Sequence, residues 1–307
     1  MAVLLANETQ DVTLTPKRTF DVVLEDGANV IVRAYGHGPR LIMSHGNGLA
    51  IDGYKPFWSL LVDRYEVVMF DFRHHGLSSP FTKQIENWPQ FIRDFELIIS
   101  KIQSELGPQE PVGVFHSMSA ITSLLHASEY TVPWRAIVAF EPPVPPRVDH
   151  KDYEPFFELH RQLAEGAARR RQAFASVDDL ARSFGSRASF RRLTSERLYG
   201  LAASTLRFQP ETNDYHLACE REFEAETFRL KNLGDAWGRV CKVSLPVCIV
   251  AGKPSEDENQ CLATIAQRIA DGAKFAFTSI PDSTHFLQIE QSAACVAALE
   301  RFIGSSN

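Results

Sequence analysis

Three loops of this chain carry side chains that together could perform nucleophilic acyl transfer. Ser117 follows the apolar run PVGVF (111–115), Glu141 follows AIVAF (136–140), and His285 sits in PDSTHF after KFAFTSI (274–280). That chemistry needs a hydroxyl, a base to take its proton, an acid to orient the base, and N–H donors for the oxyanion. Ser119 and Ala120 are small, as a tight strand-to-helix turn at Ser117 demands. Each residue also has an ordinary reading. Serine is a favoured helix N-cap, and a loop histidine commonly lies on a surface. Phe115, bulky and just upstream of Ser117, is an awkward neighbour for a sharp turn.

The surrounding pattern supplies elements able to position these loops. RTFDVVLEDGANVIVRAYG (18–36) reads as a hairpin, its Asp-Gly pair giving the positive φ of a tight turn. RLIMS (40–44), YEVVMFDF (65–72), PVGVF, AIVAF, PVCIVAG (246–252) and KFAFTSI are short and apolar throughout. Such runs suit strands buried on both faces of a parallel sheet. Between them, Phe91, Phe95, Ile98, Ile99 and Ile102 recur at helical spacing. From Asp149 to about Arg239 strand-like runs vanish and charged helical stretches take over. The expected fold class is therefore α/β: a doubly wound, mostly parallel sheet, with core segments 1–148 and 240–307 and a helical cap inserted over 149–239.

Bulk properties narrow the function. The chain has 307 residues and a formal net charge of −6, which suits a large globular domain and argues against nucleic-acid binding. The basic stretch GAARRRQ (166–172) reads as a solvated helix face. Cys219, Cys241, Cys248, Cys261 and Cys295 are odd in number, with neither a C-x-x-C pair nor metal-site spacing, and are expected to be reduced thiols. The N-terminus lacks the basic n-region of a signal peptide, the tail IGSSN is not a peroxisomal address, and no run approaches a membrane span. The expectation is a cytoplasmic protein that binds neither nucleic acid nor membrane.

Four stretches in order, SHGNG (44–48), FDFRHHGLSS (70–79), FHSMSA (115–120) and DSTHFLQIEQ (282–291), carry a resemblance. The chain resembles the α/β-hydrolase superfamily from residue 18 onward, and Ser, acid, His is that family's triad order. Within it, HGNG with an acid-Pro-Pro stretch is similar to a poorly characterised group that includes fungal toxin- and polyketide-pathway hydrolases. The resemblance implies Ser117 as nucleophile and His285 as general base. It implies an oxyanion hole from the backbone N–H groups of Met118 and Asn47, donors typically worth about 3 kcal/mol each. The commoner family acid lies in a G-x-x-D pattern after the 246–250 strand. Here that pattern reads Gly252-Lys253-Pro254-Ser255, with Glu256 and Asp257 displaced by one and two positions. Glu141 is the favoured acid, as in lactonase-like members that place it after the preceding strand; Asp257 is the alternative, and a water-supported dyad the third option.

The resulting expectation is a serine hydrolase acting on a carboxylic ester, lactone or thioester of a small organic molecule, without metal or organic cofactor. A C–C bond hydrolase with the same triad and a catalytically silent binding module are the alternatives. Serine in the nucleophile position disfavours haloalkane dehalogenase and epoxide hydrolase chemistry, which use Asp there. His45 is expected to organise the glycine loop, and His74 and His75 to brace the loop after Asp71. His116 and Met118 flank the serine and could line a pocket. Phe156, Phe157, Tyr199 and Phe208 are expected to pack within the cap.

Overall fold

The computed structural model describes residues 14–78, 88–131, 134–255 and 258–305. Eleven strands lie among them: β1 (Arg18–Val23), β2 (Asn29–Tyr35), β3 (Arg40–Ser44), β4 (Glu66–Phe70), β5 (Val112–His116), β6 (Ala136–Phe140), β7 (Ala173–Phe174), β8 (Leu206–Gln209), β9 (Asp214–Leu217), β10 (Val247–Lys253) and β11 (Ala276–Pro281). Eight form one sheet in the order β1-β2-β4-β3-β5-β6-β10-β11. β2 runs antiparallel to both its neighbours, and every pairing from β4 to β11 is parallel. The hairpin turns at Gly27, whose φ of 90° suits glycine.

Strand periodicity explains why the central strands are apolar throughout. Successive side chains point to opposite faces, and both faces are covered. Ile42, Val68, Phe70, Ile137, Ala139 and Ile249 join one apolar layer, while Leu41, Met43, Val67, Met69, Val138 and Val250 join the other. The α-helices described are α1 (Lys55–Trp58), α2 (Trp88–Leu106), α3 (Met118–Glu129), α4 (Tyr153–Ala168), α5 (Val177–Gly185), α6 (Ser195–Thr205), α7 (Arg221–Phe228), α8 (Ala236–Val240), α9 (Cys261–Ala273), α10 (Leu287–Glu290) and α11 (Ser292–Ser305). The first layer is closed by α2, α3 and α9, with Phe91, Phe95, Ile98, Ile99 and Ile102 of α2 all buried. The second is closed by α1 and α11, through Phe57, Trp58, Leu299 and Ile303.

The chain between β6 and β10 departs from the helical expectation. It carries α4 to α8, but also a three-stranded antiparallel sheet in the order β7-β9-β8. Its β8–β9 hairpin turns through Pro-Glu-Thr-Asn, where Asn213 has φ 54°. Turn residues between two short runs were the available signal; the runs are too brief and too charged to read as buried strands. Of the aromatics expected to pack there, Phe156 is fully buried, but Tyr199 and Phe208 are about half exposed, at 48% and 49%. No described helix is long and apolar enough to cross a membrane.

Candidate active site

Parallel pairing in register brings the carboxyl ends of β3, β5, β6 and β10 to one edge of the sheet, with Ser44 beside Phe115, His116 beside Phe140, and Phe140 beside Val250. The loops leaving that edge therefore meet, the usual place for ligands in an open α/β sheet. Four of the eight non-glycine residues at positive φ among the described residues lie in loops at the carboxyl ends of the strands. Ser117, Glu141, Asp282 and His74 are non-glycine residues at φ 51°, 42°, 50° and 63°. Such conformations cost on the order of 1–3 kcal/mol each and persist where surrounding contacts over-determine them.

Ser117 stands where a helix N-cap would, yet its side chain makes no cap hydrogen bond. Its Oγ lies 3.1 Å from His285 Nε2 instead. His285 Nδ1 is 2.7 Å from Glu141 Oε2, and since a carboxylate accepts, Nδ1 carries the proton. The second Glu141 oxygen accepts the Gly252 N–H at 2.8 Å. Glu141 is only 2% exposed, so both its oxygens are spoken for in a dry setting. Ser117, His285 and Glu141 thus form one continuous hydrogen-bonded chain. Such a chain can pass a proton from the hydroxyl to the imidazole while the carboxylate holds the ring.

Phe115 does not obstruct the turn. Its ring lies over Gly113, where a Cβ would come within 2.5 Å of Phe Cε2, and meets Phe95 and Trp134 edge-on at 5.3 and 5.9 Å. Gly113 shares a sheet face with Phe115, so the missing side chain makes room for the ring in the helix layer. The turn itself is clamped by Ser119, whose Oγ accepts the His116 N–H and donates to the His116 carbonyl, both at 2.9 Å.

The glycine loop lies directly against Ser117, since a Cβ on Gly46 would fall 3.2 Å from Ser117 Cβ. Among the described residues neither the Asn47 nor the Met118 N–H has an intramolecular acceptor, and Met118 opens α3, where N–H groups are free by geometry. Histidines hold the loop in place. His45 Nδ1–H donates to the Gly46 carbonyl at 2.8 Å, and His75 Nε2 accepts the Gly48 N–H at 3.0 Å. Burial keeps both rings neutral by pushing their pKa values down. His74 lies in the loop after Asp71, with its ring tilted against that of Phe223 at 4.2 Å between centroids.

Two further residues join the site without a sequence signal. The Tyr54 hydroxyl accepts the Gly46 N–H at 3.1 Å and lies 2.6 Å from His116 Nδ1. His116 Nε2 in turn lies 2.8 Å from the His285 carbonyl, so Nε2 bears the proton and Tyr54 donates to Nδ1. Burial, and then the neighbouring His285, hold His116 well below the ordinary histidine range, while burial raises the Tyr54 pKa. This neutral relay ties three loops together: the glycine loop, the turn at Ser117 and the His285 loop. From the insertion, Glu224 accepts the Asn47 Nδ2–H on its backbone carbonyl at 2.9 Å, while its buried carboxylate pairs with Arg170.

The alternative acid, Asp257, lies outside the described residues, as does Glu256. Ser255 accepts from Arg192 at 2.9 Å, and Arg192 pairs with Glu258 at 2.7 Å, so the residue in the usual acid position is engaged with the insertion. Among the described residues no group of three or more His, Cys, Asp or Glu side chains could hold a metal ion. A cavity of about 790 Å³ opens over Ser117 and is lined also by Asn47, Met118, His160, Arg187 and Phe228. Its size suits a small organic ligand.

A search of curated proteins finds no match. Solved structures similar in fold include E-2-(acetamidomethylene)succinate hydrolase, at TM-score 0.73 and 18% identity, covering 94% of this chain and 99% of that one. A thioesterase domain from the curacin biosynthetic pathway gives TM-score 0.70 and 18% identity over 92% and 99% of the two chains. An esterase from Thermogutta terrifontis gives 0.69 and 16% over 94% and 99%. A sequence profile of the alpha/beta hydrolase family matches residues 41–298. With the eight-stranded sheet and its order, that match places the chain: it belongs to the alpha/beta hydrolase family.

Proposed function

We propose that this protein is a serine hydrolase that cleaves a carboxylic ester, lactone or thioester of a small organic molecule through an acyl-enzyme. The observation that carries the reading is the unbroken chain Ser117 Oγ, His285 Nε2, His285 Nδ1, Glu141 Oε2, at 3.1 and 2.7 Å. In this reading Ser117 loses its proton to His285 Nε2 as Oγ attacks the carbonyl carbon. Glu141 keeps Nδ1 protonated and stabilises the imidazolium that forms. The negative charge on the tetrahedral oxygen meets the N–H groups of Met118 and Asn47, placed in advance by α3 and by the histidine-braced glycine loop. Such donors, fixed before the charge develops, give the largest single contribution in many acyl-transfer enzymes.

Collapse expels the alcohol or thiol, protonated by His285, and leaves an ester on Ser117. Water then gives a proton to His285 and attacks that ester, releasing the acid and restoring the serine. No metal or organic cofactor enters these steps. The insertion, residues 149–239, supplies the far wall of the cavity and so acts as a cap that selects the substrate.

Covalent labelling with a fluorophosphonate tests the reading. Folded wild-type protein should take one label, and Ser117→Ala should take none. An unlabelled wild type would remove the nucleophile from the proposal, and labelling that survives Ser117→Ala would move it to another residue.

A further inference from the structure

A side chain lining the cavity over Ser117 carries a buried acceptor that the proposed chemistry does not use. His160, on α4, is 4% exposed and lines the cavity. Its Nδ1 lies 3.1 Å from the Phe228 carbonyl. A carbonyl only accepts, so Nδ1 carries the proton and Nε2 presents a bare lone pair. That Nε2 is buried and has no hydrogen-bond partner among the described residues. The ring is held by Phe156 at 4.4 Å and Phe228 at 6.3 Å between centroids, so it cannot readily turn to find a partner elsewhere. Burial, with a smaller push from the nearby His285, lowers its pKa to about 4. The ring is therefore neutral under ordinary conditions and remains an acceptor.

Buried polar atoms in native proteins are nearly always satisfied, and one left bare on a side chain that lines a ligand cavity points to the ligand as its partner. We infer that His160 reads the substrate, its Nε2 accepting a hydrogen bond from a hydroxyl carried by the ester, lactone or thioester. A cationic donor such as an ammonium is disfavoured because Glu224 and Glu258, which line the same cavity, are already paired with Arg170 and Arg192, and Arg187 beside Glu224 adds a further positive charge. A neutral hydroxyl fits both His160 and Arg187. His160 is then a specificity-determining residue, and the preferred substrate is hydroxylated. This inference rests on the reading of Ser117 as nucleophile.

Matched ester pairs test it. One series carries the hydroxyl on the acyl side, as p-nitrophenyl esters of straight-chain acids from hexanoyl to dodecanoyl with and without a terminal hydroxyl. The other carries it on the leaving group, as monoacetates of dihydroxynaphthalenes against naphthyl acetate. In at least one pair the wild type should favour the hydroxylated ester by about 10- to 100-fold in kcat/KM, the usual effect of leaving a buried acceptor unpaired. His160→Phe should bring that ratio close to one, and His160→Gln, whose amide oxygen still accepts, should keep part of it. If His160→Phe does not fold, titration of Ser117→Ala with the intact pair reads the same preference as a ratio of Kd values. Equal rates on both members of every pair, or a preference that survives His160→Phe, would overturn the role of His160 while fluorophosphonate labelling and turnover stand. A folded wild type that neither labels nor cleaves any ester would overturn the hydrolase reading and this one with it.

Discussion

The loops after β6 and β10 leave the sheet side by side, with Phe140 paired to Val250, yet they do opposite things. The first places a carboxylate: Glu141 at φ 42° turns back into the protein, followed by Pro142 and Pro143. The end of β10 instead presents a glycine, Gly252. A Cβ on Gly252 would lie 2.7 Å from the carbonyl oxygens of both Ser283 and Thr284, so this strand end must be bare for the His285 loop to close over it. What Gly252 contributes is its N–H, donated to Glu141 at 2.8 Å. One strand end gives the carboxylate that holds His285, and its neighbour gives the N–H that supports that carboxylate. The missing acid in the Gly252-Lys253-Pro254-Ser255 pattern is thus matched by a division of labour between two strands.

Breaking the carboxylate half of that comparison should have the largest effect. Glu141→Gln keeps the shape but offers His285 Nδ1–H a neutral partner, which can also present its own N–H and select the wrong tautomer. We expect kcat on an activated ester to fall by roughly 100- to 10,000-fold, as for triad acids elsewhere. The melting temperature should change little beside that loss. Turnover near wild type would remove Glu141 from the chain of proton transfer.

Breaking the supporting half should cost less in rate and more in stability. In Gly252→Ala the methyl group meets two backbone carbonyls, which cannot move as a side chain tip can. The 283–285 segment must shift, although Thr284 holds it with its N–H and Oγ1 on Glu290 at 2.6 and 2.7 Å. Overpacking of this kind costs about 1–3 kcal/mol, readable by urea unfolding. The accompanying drop in kcat should be roughly tenfold, on the pattern that small misplacements of catalytic groups are expensive. A stable and fully active Gly252→Ala would mean that the two loops do not depend on each other.

The same comparison shows what a sequence of this kind makes legible. Uniform apolar runs announced the sheet, because a strand covered on both faces has no polar positions. The element order then brought Ser117, Glu141 and His285 to the ends of β5, β6 and β11. Contacts between loops were not legible, since they depend on backbone placement rather than residue pattern. Nothing around Tyr54 marks it as the hydroxyl between Gly46 and His116, and nothing in α4 marks His160 as facing the cavity. Phe115 stands between these cases. It looked out of place, and the answer was in view two residues earlier at Gly113, on the same face of β5. The small sheet of the insertion escaped because its strands are short and partly exposed, without the periodicity of a buried strand.

Tyr54→Phe probes the join between the glycine loop and the turn at Ser117, and should act more mildly than either change above. It leaves the Gly46 N–H and His116 Nδ1 without their shared partner, a loss of about 1–3 kcal/mol in stability. Because histidines His45 and His75 still hold the glycine loop, we expect kcat/KM to fall by only about five- to tenfold, within what one misaligned oxyanion donor costs. The rate of fluorophosphonate labelling should fall in parallel, since that reaction needs the same oxyanion geometry. A loss of turnover with unchanged labelling would place Tyr54 in substrate binding instead.

The smallest effect should come from Asp257→Asn. The residues on either side of the undescribed pair, Ser255 and Glu258, are tied to each other by the Ser255 N–H at 2.7 Å and to Arg192 of the insertion. His285 Nδ1 already has its acceptor in Glu141, and an imidazole Nδ1–H serves one strong acceptor at a time. A second carboxylate therefore has no proton to hold, and the substitution should leave kcat within about twofold. Measured together, the two acid variants must diverge, and the double variant Glu141→Gln/Asp257→Asn should be no slower than Glu141→Gln alone. If the effects exchange, with Asp257→Asn costing 100-fold or more and Glu141→Gln almost nothing, the acid belongs to the β10 loop. Glu141 would then be a buried brace for Gly252, and the division of labour between the two strands would run the other way.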